Sequence, residues 1–187
     1  MLDFQPPMLA RPGEITITPW SYQSLGVPLI SGGFGTVSSQ NSVAANVVLY
    51  IPFQTVTSLT VRKMFWGNGA AVSGNIDVGV YDLAGTLLVS AGSTGQSGTT
   101  RVQVADVTDT ALAAGTYYLA FVADTAGSTS RFLSVVPSAG ICQALGILQQ
   151  AAVTLPLATN ASPATFAKGA TAWVPMVGLQ ATRTIGP

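Results

Sequence analysis

A chain of 187 residues with 7 Lys+Arg, 7 Asp+Glu, no His and one Cys can bury on the order of 70% of its unfolded surface in a single core. Only 7% of its residues are charged, against roughly 25% in an ordinary soluble domain. This composition excludes an intrachain disulfide, a Cys/His zinc framework and any Ser–His or Cys–His nucleophile. A formal net charge of +0 also removes the basic footprint that nucleic-acid binding needs.

Residues 1–45 read as an extended N-terminal arm. Pro6, Pro7, Pro12, Pro19 and Pro28 punctuate them, Gly32, Gly33 and Gly35 form a hinge, and only Glu14 to Thr18 alternates like a strand. Phe4, Met8, Leu9, Ile15, Ile17, Trp20, Tyr22 and Leu25 set this arm apart from a solvated polar tail and ask for a partner surface to lie on. The stretch Met1 to Pro7 has neither a basic start nor an apolar run, and nowhere do about 18 apolar residues follow one another. The expectation is a chain with no secretory signal and no membrane partner, made in a cytoplasm.

From Asn46 to Pro187 the chain reads as a β-sandwich domain with a loop-rich C-terminal segment. Segments rich in β-branched and aromatic residues recur at Asn46–Phe53, Val56–Trp66, Asn75–Tyr81, Thr86–Ala91, Thr99–Val107, Thr116–Ala123 and Ser130–Val136, with turn signals between them. In Asn75–Tyr81, Ile76, Val78 and Val80 alternate with Asp77, Gly79 and Tyr81, which predicts one packed face and one facing solvent or a neighbour. Asp82 and Gly85 stand at the first and fourth positions of a type I turn. Thr116–Ala123 is apolar on both faces, since Tyr117, Leu119 and Phe121 oppose Tyr118, Ala120 and Val122. The spacing therefore predicts a cover from the arm, a long loop or another subunit. Gly92 to Gly98 reads as a mobile loop and Ala139 to Ala152 as a short helix weakened by Gly140 and Gly146. Residues 153–170 read as loop, and Thr171–Leu179 as a last strand interrupted by Pro175.

Candidate chemistry is sparse. Glycoside hydrolysis would need two carboxylates about 5 to 10 Å apart, and Asp77 with Asp82 or Asp106 with Asp109 could supply them. Turn chemistry accounts for the same residues. Calcium at Asp77, Asp82 or Asp124 has no EF-hand spacing. A Ser–Lys pairing on Lys63 or Lys168 has no Ser placed near either, and Cys142 reads as a small buried hydrophobe. Trp66 and Tyr81 could stack on sugar rings or fill core and interface. Tyr117 reads as the Tyr that closes a sandwich corner.

The motifs Gly74–Asp82, Thr86–Gly92 and Leu112–Phe121 resemble a β-sandwich module of tailed-bacteriophage virion proteins, one that occurs in tail fibres, tail spikes and head decorations. The resemblance spans about residues 55–136. It implies an all-β, jelly-roll-like antiparallel β-sandwich, a homo-oligomer (often a trimer) attached to other virion proteins of a capsid or tail, and no catalytic residue; nothing in the chain adds a cofactor or metal. The expected function is a non-enzymatic structural part of the virion. Phe4, Ile15, Ile17 and Trp20 would anchor the arm, with Tyr118 and Val122 as the sandwich interface. The alternative is a carbohydrate-binding receptor-recognition module that stacks a host glycan on Trp66 and Tyr81.

Overall fold

The computed structural model describes residues 14–17, 37–42, 44–126, 129–133, 143, 146–168 and 175–183. They form strands β1 (Glu14–Ile17), β2 (Val37–Ser42), β3 (Val48–Thr55), β4 (Leu59–Gly67), β5 (Asn75–Tyr81), β6 (Leu87–Ser90), β7 (Thr94–Gly95), β8 (Val102–Leu112), β9 (Gly115–Ala123), β10 (Thr129–Leu133), β11 (Leu148–Gln150), β12 (Ala167–Lys168) and β13 (Val177–Arg183). One antiparallel sheet, sheet A, runs β1-β13-β4-β8. The β2–β10 pair forms a small sheet B, and the third, sheet C, runs β12-β11-β3-β9-β5-β6, with β7 also on β5.

Without β2, β7 and β10 to β12, two four-stranded sheets remain, β1-β13-β4-β8 and β3-β9-β5-β6. The chain enters sheet C at β3, crosses to β4, returns for β5 and β6, and then alternates through β8, β9 and β13. That is the order of a jelly roll. The fold is the all-β antiparallel sandwich that the strand spacing and the resemblance both lead one to expect.

The core lies between the sheets. Ile51 and Phe53 of β3, Val61, Met64 and Trp66 of β4, Ile76, Val78 and Val80 of β5, Leu119 and Phe121 of β9, and Val177, Leu179 and Ala181 of β13 are all buried there. Pro52 is tolerated in β3 because the β11 ladder covers only Val48–Tyr50, so among the described residues no ladder bond is lost on that side to the missing N–H. The type I turn after β5 forms as expected: the Asp82 carboxylate accepts the Thr86 N–H at 2.8 Å and the Gly85 N–H bonds the Asp82 carbonyl at 3.1 Å. The Tyr117 hydroxyl donates to the Ala113 carbonyl at 2.9 Å, closing the sandwich corner.

Several expectations need correction. The outer face of β5 does not meet solvent: Ile76 to Tyr81 are all buried, because a strap of residues 151–166 crosses it. The same strap covers Ala120 and Val122 of β9, so among the three covers considered for that strand the long loop is the one found. Leu148–Gln150, expected as helix, is strand, since its residues complete the ladder along β3. Gly92 to Gly98 is not loose, because Thr94 and Gly95 pair with β5. The Asn68 side chain also donates to the Ser97 and Gly98 carbonyls at 2.6 and 3.1 Å. The last strand runs Val177–Arg183 beyond Pro175, past the expected end at Leu179; residues 169–174, and with them the expected start at Thr171, lie outside the described residues, as do Cys142 and most of the arm.

Candidate functional site

Sheet A turns one face to the core and one outward. Antiparallel partners share a face, so the register of Trp66 with Gln103 and Met64 with Ala105 places Gln103 and Ala105 on the inner side. Phe65 opposite Val104 and Gly67 opposite Val102 then stand outside, with Gly178 of β13 beside Phe65. Phe65 is half-buried, while Val102 and Val104 are 43% and 50% exposed. Next to this strip Lys63 meets Asp106 at 3.4 Å and Arg62 meets Asp109 at 3.4 Å. All four side chains are exposed and their opposite charges cancel locally, which leaves an apolar strip bounded by neutralised pairs.

The strip was not legible from the alternation. In Val102-Gln-Val-Ala-Asp-Val107 the larger apolar residues lead one to point Val102 and Val104 inward. Gln103 faces inward instead because its amide is used there: its Oε1 accepts from Asn68 Nδ2 at 3.0 Å and its Nε2 donates to the Gly95 carbonyl at 2.8 Å. With Gln96 donating to Asn68 Oδ1 at 2.9 Å, buried Asn68 is satisfied, as a buried amide must be.

The outer face of sheet C is built differently. Tyr50, Tyr81 and Tyr118 meet edge-to-face there, with ring centroids 5.5 Å apart for Tyr50–Tyr81 and 6.4 Å for Tyr50–Tyr118, and Phe166 of the strap stacks on Tyr50 at 4.3 Å. Val153 and Leu157 of the strap complete this second apolar cluster. The Tyr50 hydroxyl donates to Gln150 Oε1 at 2.9 Å and the Tyr81 hydroxyl to the Ala158 carbonyl at 2.6 Å. Burial pushes the Tyr50 phenol up to about 12 and raises that of Tyr81 further. Asp77 lies beneath the same strap, fully buried. Its carboxyl accepts the Leu157 N–H at 2.8 Å and the Ser90 hydroxyl at 3.0 and 3.2 Å.

These positions revise the expected sites. Trp66 is fully buried in the inter-sheet core and Tyr81 is 1% exposed under the strap, so neither ring can stack on a sugar; the reading of these two as a glycan platform is withdrawn. Val122 is buried within its own chain and Tyr118 half-buried beside Tyr50, so intrachain cover, not an interface, accounts for Val122. Ile15 and Ile17 sit in β1, in register with Ala181 and Leu179 of β13, while Phe4 and Trp20 lie outside the described residues. The carboxylate pairs do not assemble: Asp77 is sealed, Asp82 serves its turn, and Asp106 and Asp109 each face a different β4 cation. Asp124 is held below the usual carboxylate range by the Asn75 N–H at 2.8 Å and the Thr125 hydroxyl at 2.7 Å, which is a structural bond at the start of β5. Among the described residues no group of three or more His, Cys, Asp or Glu comes together.

The strand order and packing define the class, an all-β jelly-roll sandwich with one strapped face and one partly apolar face. Comparison with known proteins finds no matching family model, no matching curated protein and no matching solved structure.

Proposed function

We propose that this chain is a non-enzymatic structural component of a bacteriophage virion, a capsid decoration or a tail or fibre part, that assembles with copies of itself and with other virion proteins. The observation that carries the assembly reading is the outer face of sheet A, where Val102 and Val104 stand exposed beside Phe65 and the charges of Arg62, Lys63, Asp106 and Asp109 are spent on each other. A surface of this kind loses little by desolvation and gains by burial. The motifs that resemble phage virion modules lie on β5, β6 and the β8–β9 corner of the jelly roll, an analogy at the level of fold and motif.

Native mass spectrometry of the full chain at micromolar concentration tests the reading, with Val102→Asp/Val104→Asp as the comparison. The full chain is expected as an oligomer and the double variant as a folded monomer with an unchanged circular dichroism spectrum. A monomeric full chain overturns the proposal; an oligomer untouched by the substitutions removes this face from it.

A further inference from the structure

The strap is attached to sheet C at intervals. Its Val153 N–H bonds the Asn46 carbonyl at 3.0 Å, the Thr159 carbonyl accepts from Leu87 at 2.8 Å, and the Ala161 N–H reaches the Gly85 carbonyl at 2.7 Å. Between those backbone anchors two buried side chains of β5, Asp77 and Tyr81, hold Leu157 and Ala158. One of the two is a carboxyl group with no cation on it among the described residues. Around it stand Ser90 of β6, Val122 of β9 in register with it, Leu157 of the strap, and the phenols of Tyr81 and Tyr50. Lys168 shares the strap side of sheet C, since it pairs with Leu148, which pairs with Tyr50. It stands four strands away, roughly 19 Å at about 4.8 Å per strand. Arg62 and Lys63 are on the outer face of the other sheet.

We propose that the strap over sheet C is a pH-sensitive cover, latched when the Asp77 carboxyl is protonated and released as it ionises, so that the Tyr50–Tyr81–Tyr118 face is uncovered at higher pH. An ionised carboxylate under an apolar cover without a counter-ion is costly, whereas lifting the cover returns it to water. Burial raises the Asp77 carboxyl above its usual range, and the N–H of Leu157, the Ser90 hydroxyl and the N–H groups of Val78 and Gly92 offset this only in part. The sign follows: the closed form holds the proton more tightly than the open form, so lowering pH favours closure. Raising pH favours opening, over the window between the ordinary carboxyl range and the raised one.

Hydrogen exchange of the Leu157 amide, corrected for its intrinsic rate and measured from pH 4.5 to 8, reads the opening. Below the tyrosine range, only Asp77 changes charge in this cluster. The opening constant is expected to rise by as much as tenfold per pH unit inside the window, the limit for one proton released, and to be flat in Asp77→Asn. A flat profile in the native chain, or a slope that survives Asp77→Asn, overturns the proposal. If Asp77→Asn does not fold, the carboxyl 13C shift of Asp77 decides it: a midpoint above the ordinary Asp range supports the latch and one at or below that range refutes it.

Discussion

Trp66 shows how much one residue's setting constrains what it can do. Its indole is fully buried among Met64, Ile76 and Leu179, and its N–H has no acceptor among the described residues. A buried donor without a partner costs about 1–3 kcal/mol, so Trp66 is retained for its volume in spite of its nitrogen. Trp66→Ala should destabilise by roughly 3–5 kcal/mol through the cavity it leaves, whereas Trp66→Phe should cost clearly less because the unpaired N–H leaves with the lost ring. Urea midpoints of the two variants check this; equal losses would mean that the indole nitrogen is satisfied in solution. Asp77 is the complementary case, a polar group that is bonded but whose charge, once it ionises, the buried site does not neutralise.

At the scale of elements, the strap and β5 depend on a missing side chain. A Cβ at Gly79 would meet Leu87 Cδ1 and Leu157 Cδ1 at 2.9 Å and the Val89 carbonyl oxygen at 3.0 Å, so glycine lets the strap settle on the strand without displacing the two leucine tips. Gly79→Ala should cost about 1–3 kcal/mol by overpacking. It should also make residues 151–166 cleavable by protease before the sandwich unfolds, since Leu157 moves more easily than the Val89 backbone. A variant whose strap stays as resistant as the native one would show that the packing there has slack. The β4–β8 ladder makes the opposite point: its two ion pairs are exposed and add little to stability, so their effect lies in the neutrality they give the surface beside Val102 and Val104.

For the molecule as a whole, β1 matters to how the arm is tested. Glu14–Ile17 extends sheet A beside β13, so a truncation through residue 30 would remove a jelly-roll strand along with the segment before it. Deleting residues 1–13 separates the two. On the proposed function this shorter deletion should keep the melting temperature within a few degrees and abolish incorporation into particles, measured by co-sedimentation. Normal incorporation would move the docking role to the sandwich itself.

The sequence by itself determined the sandwich: period-two apolar segments of β-branched residues, broken by turns such as Asp82–Gly85 and Ala114-Gly115, are strands whatever they pack against, and the Tyr117 corner and the Asp82 turn are local chemistry within a few residues. The two apolar faces of Thr116–Ala123 likewise announced a second cover. Only the tertiary structure decided that residues 151–166 supply it, because bonds such as Leu157 to Asp77 span 80 positions and leave no local trace. It also turned Val102 outward and Gln103 inward, against their hydropathy, since the amide of Gln103 answers Asn68 across the strand. It buried Trp66 and Tyr81, whose rings are equally suited to a core or to a sugar until the neighbours are in place.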